Sequence, residues 1–242
     1  MCLQSCGLVM TRSPPPRLAP SLLSADFGNL AHDIAAAVEG GAGALHLDIM
    51  DGHFVPNISF GPAVVKAVRA RTSLPLDVHL MVTDPGSYLA PFAKAGGDMI
   101  VWHVEANGDF ASLLEETRKL KVKAGLAIRP STPFSKVAGL LPHVDEIIVM
   151  SVEPGFSGQK FMPDMLPRIA EARKLIDSSG REITLSVDGG INVETAVLAA
   201  KAGANFLVCG NSVYGNGKTP QENLKALKTA LSNGNTASPS VA

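Results

Sequence analysis

Two short segments place a histidine and an aspartate on one side of an extended chain: His46 and Asp48 in ALHLDIMD, and Asp77 and His79 in LPLDVHLMV. A third segment, LSVDGG, closes on Asp188. Side chains alternate faces along a strand. Leu45, Leu47 and Ile49 therefore oppose His46, Asp48 and Met50, and Val78, Leu80 and Val82 oppose Asp77, His79 and Met81. If the apolar sides pack on helices, three carboxylates and two imidazoles point inward. An unpaired buried carboxylate costs several kcal/mol, so these groups must either satisfy one another as a hydrogen-bonded polar cluster or bind something. Imidazole nitrogen with carboxylate oxygen suits a divalent cation such as Zn, Fe, Mn or Co, and no thiolate lies at these strand ends. Four protein ligands leave room for a substrate only if the coordination number can expand. His103 and Glu105 in VWHVEA repeat the His-x-acid spacing and stay open either as ligands or as a supporting pair. His32 falls on a helix, and His53 and His143 fall in loops, where they read as surface histidines.

The elements that must position these groups follow one repeating pattern. A short apolar, β-branched run is followed by a loop and then by a segment of helical period, eight times over. The strand candidates are LAPSLLS, ALHLDIMD, LPLDVHLMV, MIVWHVEA, KAGLAIRP, DEIIVMSV, EITLSVDGG and NFLVCGNS. The helices between them often end at a glycine, as at Gly96, Gly180 and Gly203. Strict alternation implies parallel strands joined by right-handed crossovers. Eight units fit a closed (β/α)8 TIM barrel better than an open sheet, and SLLSADFGNL lacks the glycine pattern that an open dinucleotide-binding sheet requires after its first strand. The barrel is predicted over residues 18–231. Residues 1–17, with Pro14, Pro15 and Pro16, read as a disordered leader that carries Arg12 and Arg17 and no acid; organelle targeting is the lesser reading of it. Residues 232–242 read as a disordered tail. Barrel active sites lie at the C-terminal ends of the strands, so polar residues late in a strand are the ones to question. Strands two and seven stand three steps apart, roughly 135° around the ring.

Glycine-rich turns follow the last three strands: EPGFSGQKF, DGGINVE and CGNSVYGNG. Glycine lets backbone N–H groups approach an anion closely, and barrels often hold phosphate after strands seven and eight. Gly189, Gly190, Gly210 and Asn211 fit that placement, while Gly155 and Gly158 suit the hinges of a lid.

Bulk properties narrow the partners. The 242 residues carry a formal net charge of −1 and no basic block, which argues against nucleic acid and against an anionic membrane surface. No apolar run approaches the roughly 18 residues of a membrane span. The three cysteines, Cys2, Cys6 and Cys209, are too few and too scattered for a disulfide framework. The chain is expected to be cytoplasmic, to act on a small molecule and to form a homo-oligomer.

SLLSADFGNL, HLDIMDGHFVPNISFGP, DVHLMV, VEPGFSGQKF, SVDGGI and the Gly-Asn turn occur in the order found in ribulose-phosphate 3-epimerases, and from Leu18 to about Leu231 the chain resembles that family. The resemblance implies a ribulose-phosphate-binding barrel. It implies His46, Asp48, His79 and Asp188 as ligands of one divalent cation, with Asp48 and Asp188 also as the two acid/base residues. It implies substrate contacts at Ser21, His79 and Asp188, with Gly155, Phe156, Ser157 and Gly158 in the loop over the substrate. The phosphate falls to Gly189, Gly190, Gly210 and Asn211, and the methionines Met50, Met81 and Met150 line the pocket. Ser157 stands where a glycine is common, and Asn211 where a serine is common.

The implied reaction interconverts D-ribulose 5-phosphate and D-xylulose 5-phosphate, a step of the pentose phosphate pathway. The C3 proton is removed to give an enediolate, which is reprotonated on the other face; two acid/base groups on opposite sides are therefore needed. A hexulose 6-phosphate such as allulose 6-phosphate is the alternative substrate. A Schiff-base aldolase would need a buried lysine at a strand end, and a related decarboxylase would carry a lysine–aspartate array where His79 stands. A scaffold that had abandoned catalysis would be expected to lack one of the four ligands, and all four are present.

Overall fold

A computed structural model describes residues 16–234. The eight strands are β1 (Arg17–Pro20), β2 (Leu45–Met50), β3 (Leu76–Met81), β4 (Met99–His103), β5 (Lys123–Ile128), β6 (Glu146–Met150), β7 (Thr184–Asp188) and β8 (Phe206–Cys209). All neighbouring pairs are parallel, in the order β1-β8-β7-β6-β5-β4-β3-β2. A parallel bridge between Ser21 and His46 joins the two ends and closes the barrel.

Helices follow the strands in turn: α1 (Leu30–Glu39), α2 (Pro62–Arg69), α3 (Leu89–Ala95), α4 (Phe110–Lys119), α5 (Ser135–Ala138), α6 (Leu166–Ser178), α7 (Val193–Lys201), α8 (Asn211–Tyr214) and α9 (Pro220–Gly234). Local signals account for several ends. Pro62 opens α2, where a missing N–H costs nothing. Asn192 and Thr195 form a reciprocal capping box at α7. Gly96 closes α3 in the left-handed conformation. No helix among the described residues is long and apolar enough to cross a membrane.

Three stretches depart from the sequence expectation. The first strand stops at Pro20 instead of Ser24, because the chain turns at once into a 3-10 helix, Leu22–Ser24, capped by the Ser21 hydroxyl. PFSKVAGLLP yields a single helical turn, α5, and a 3-10 turn, since Pro133, Gly139 and Pro142 interrupt it. The turn after β8 contains a helix of its own, α8, not read from its glycines. At the ends, Arg17 already belongs to β1 and Ser232 to Gly234 continue α9. The expected leader and tail otherwise lie outside the described residues.

Every residue of β2 and β3 is buried, so the two faces are told apart by what they touch. Leu45, Leu47, Ile49, Leu76, Val78 and Leu80 join the large apolar layer between strands and helices. The barrel interior is split. Val101, Ala127, Ile148, Met150 and Val152 fill the β4–β6 side with apolar groups, while the β2–β3 side and Asp188 carry the polar ones. Parallel register pairs His46 with Asp77 and, one layer higher, Asp48 with His79. Met150 pairs with Asp188 in the same way. Register thus stacks the polar groups into two levels under the mouth of the barrel.

Candidate active site and metal centre

The upper level converges on a small volume. His46 Nε2 lies 3.3 Å from Asp48 Oδ1 and 3.9 Å from Asp188 Oδ2. His79 Nδ1 lies 3.4 Å from Asp48 Oδ1 and 3.5 Å from Asp188 Oδ2. Both nitrogens are buried and make no hydrogen bond, an expensive condition for a polar atom. Metal bonds of about 2.1 Å arranged tetrahedrally would set ligand atoms about 3.4 Å apart, close to these four separations. Among the described residues, His46, Asp48, His79 and Asp188 form the group whose ligand atoms all lie within 4.8 Å of one another. Two orphaned imidazole nitrogens facing two carboxylate oxygens fit a divalent cation. The donor set does not choose among Zn, Fe, Mn and Co.

The electrostatics point the same way. Burial alone would lower the pKa of His46, but the charges of Asp48 and Asp77 outweigh it and hold it well above the ordinary value. His79 is likewise raised, its burial overcome by Asp188 and Asp48. For Asp48, burial opposes ionisation, yet the two imidazoles hold its carboxyl far below the usual range. The pocket therefore attracts positive charge.

Each histidine is held from behind. His46 Nδ1 is 2.7 Å from Asp77 Oδ2 on the neighbouring strand, which leaves Nε2 for the centre. His79 Nε2 is 3.0 Å from His103 Nε2. His103 and Glu105 thus stand behind His79, outside the ligand group. Ser21, at the end of β1, donates to Asp48 Oδ2 at 2.5 Å. Ser59 accepts from the Met50 N–H and donates to the Asp48 carbonyl, which fixes the exit of β2.

Above the centre opens a cavity of about 680 Å³. Asp48 and Asp188 reach its floor, whereas His46 and His79 are sealed beneath. Met50, Met81 and Met150 form its apolar wall, and Ser21 stands at its edge. The loop after β6 contributes Gly155, Phe156, Ser157 and Gly158 to one side, with the Phe156 ring 55% exposed. Asn57 donates to the Gly155 carbonyl at 2.8 Å and so ties this loop to the loop after β2. Gly189, Gly190, Gly210 and Asn211 line the opposite end. Gly190 has φ +65°, and a Cβ there would meet the Phe161 backbone nitrogen at 2.2 Å. That position can only be glycine if the loops after β6 and β7 are to touch. The Asn211 side chain folds back over Gly215 and also approaches Gly158.

Some lining residues escaped the sequence reading. Ser212, with a buried hydroxyl lacking a hydrogen bond, and Lys218 both line the phosphate-sized end. Lys218 follows the glycines at 215 and 217, the one cue it offered. Glu146 was also missed. It lies inside the barrel, hydrogen-bonded by Ser186, although its segment begins DE like a loop.

Comparison with known proteins adds the lineage. Residues 17–214 match the model of the ribulose-phosphate 3 epimerase family. The ribulose-phosphate 3-epimerase of Bacillus subtilis is 46% identical over 200 residues, covering 82% of this chain and 92% of that protein. The cytoplasmic isoform of rice is 41% identical over 226 residues, covering 92% and 97%. A solved 3-keto-L-gulonate-6-phosphate decarboxylase from Vibrio cholerae superposes with a TM-score of 0.68 over 91% of this chain and 99% of that one. At 16% identity it shares the fold alone. With the eight-stranded barrel, the family match over most of its length and relatives above 40% identity in hand, the chain belongs to the ribulose-phosphate 3-epimerase family.

Proposed function

We propose that this enzyme interconverts D-ribulose 5-phosphate and D-xylulose 5-phosphate, with one divalent cation held by His46, Asp48, His79 and Asp188. The observation that carries the reading is the meeting of two carboxylates from separated strands, β2 and β7, on the floor of one cavity. The proton at C3 of the substrate is acidified by the neighbouring C2 ketone. Its removal leaves a flat enediolate, and inversion requires a proton to return from the other side. Asp48 and Asp188 approach from different arcs of the barrel, so one takes the proton while the other delivers one. The reverse reaction exchanges their roles. When bound, a divalent cation supplies positive charge beside the oxygens on which negative charge develops.

The remaining residues orient and enclose. The Ser21 hydroxyl holds Asp48 in place through Oδ2. The three methionines offer an apolar, adaptable surface to the carbon chain. The glycine turns after β7 and β8, with Asn211, hold the phosphate and so set C3 between the acids. The loop of residues 155–158 covers the substrate and keeps water out. The place of the reaction is the pentose phosphate pathway, in the cytoplasm, as the name of the rice relative supports. The working form is a homo-oligomer.

Turnover of ribulose 5-phosphate in deuterium oxide tests the proposal. One solvent deuteron is expected at C3 of the product. Retention of the original hydrogen would overturn the two-acid route. A higher kcat/KM for allulose 6-phosphate would overturn the substrate assignment.

A further inference from the structure

Behind His79 runs a chain of contacts that ends at the surface. His103 stacks on His79, with ring centroids 5.0 Å apart and planes at 24°. Their Nε2 atoms face each other at 3.0 Å. The other nitrogen of His103, Nδ1, is 3.1 Å from Glu105 Oε2. The second Glu105 oxygen, Oε1, accepts the backbone N–H of Arg129 at 3.0 Å. Arg129 in turn donates to the Phe54 carbonyl at 2.9 Å, and its guanidinium lies 4.3 Å above the Phe54 ring. The Phe54 ring packs against His103, centroids 4.9 Å apart. The contacts therefore close a circuit of His103, Glu105, Arg129 and Phe54.

Proton counting gives the circuit a direction. Two imidazole nitrogens 3.0 Å apart share one proton, so one donates and the other accepts. A carboxylate only accepts. Glu105 therefore requires the proton of His103 on Nδ1, which leaves Nε2 of His103 as an acceptor. His79 must then carry its own proton on Nε2, and its free lone pair falls on Nδ1, the atom that faces Asp48 and Asp188.

We propose that His103 and Glu105 are positioning residues that lock His79 in the tautomer able to bind a cation through Nδ1. The proposal rests on the metal reading of the same site. It assigns a task to a buried pair that the proton-transfer step does not use. It also explains the arginine: the Arg129 N–H demands an acceptor at Oε1, which prevents the end group of residue 105 from turning over.

Glu105→Gln supplies the test, since it keeps size and reverses one donor. Arg129 N–H would hold the amide oxygen, so the amide NH2 would face His103 Nδ1 and flip both tautomers. The Nδ1–H of His79 would then point into the centre. In isothermal titration of the metal-free full-length protein with Co²⁺, Glu105→Gln and His103→Leu are expected to weaken binding about 10–100-fold. His103→Gln, which can still accept from His79, is expected to recover most of it. Nitrogen NMR of the metal-free protein should show His79 protonated at Nε2 in the parent and at Nδ1 in Glu105→Gln. Unchanged Co²⁺ affinity in Glu105→Gln, or an unchanged His79 tautomer, overturns the proposal. If the parent itself takes up no Co²⁺, the metal reading fails, and the NMR comparison still decides the tautomer lock. Thermal melting separates a merely structural role, in which Tm would fall for all variants alike and affinity would follow it.

Discussion

The carboxylates of Asp48 and Asp188, from strands on different arcs of the barrel, come within 3.4 and 3.5 Å of one atom, Nδ1 of His79. They share a charge centre, yet they come from β2 and β7. A common counter-charge with separate directions of approach is the arrangement that inversion at one carbon requires.

Replacing either acid removes one of two proton carriers without removing bulk. Asp188→Asn is expected to lower kcat by about 10³-fold or more, with an unchanged circular dichroism spectrum. Turnover near that of the parent would refute the assignment of Asp188 as a proton carrier.

Metal and protons compete for the two histidines. In metal-free protein, burial is outweighed by carboxylates and the pKa values of His46 and His79 are raised. The stabilisation from those protons is complete below the ordinary value of 6.5 and is lost as pH rises through the raised values. A bound cation needs the neutral rings and gains as the protons leave. The Tm gap between metal-loaded and chelator-treated protein should therefore widen from about pH 6 to about pH 9. Scanning fluorimetry of both forms across that range checks this; a gap that narrows with pH would contradict it.

Glu146 is a liability at high pH. Burial first, and then the charge of Asp77, push its carboxyl up from 4.5 to about 8. The folded state keeps a proton there that the unfolded chain releases, so stability falls as pH rises between those values. Glu146→Gln retains an acceptor for the Ser186 hydroxyl. It should match the parent near pH 4.5 and exceed it by about 1–3 kcal/mol at about pH 8 and above. Urea unfolding at the two pH values measures the difference.

Two glycines of similar φ separate strain from position. Gly190 and Gly180 have φ of +65° and +67°, but a Cβ at Gly180 meets nothing within 4 Å while one at Gly190 strikes the Phe161 backbone. Gly180→Ala should cost about 1 kcal/mol of stability and leave kcat/KM alone. Gly190→Ala should cost more and lower kcat/KM about 100-fold by shifting the phosphate end. Equal kinetic effects in the two variants would argue against a role for Gly190 in holding substrate.

The barrel and much of its floor were legible in the sequence. Period-2 alternation in ALHLDIMD and LPLDVHLMV separates His46, Asp48 and His79 from their apolar neighbours, because strand geometry alone dictates which face a side chain takes. Eight strand–helix repeats dictate parallel order, and parallel order places Asp48 and Asp188 three strands apart. Other features were not legible, because they depend on loops whose ends meet only after closure. The 3-10 turn after Pro20, the helix α8 and the Asn57–Gly155 contact are of this kind. Spacing could not rank His103 against His79, since both repeat the same His-x-acid signal or its mirror. Parallel register decided between them: it pairs Asp48 with His79 and sets His103 one strand further on, where its ring reaches His79 but not the carboxylates. The sequence by itself determined which residues could carry the chemistry, because alternation is a local property. Only the tertiary structure decided which of them share one cation-sized space, because that depends on the stagger between strands when the barrel closes.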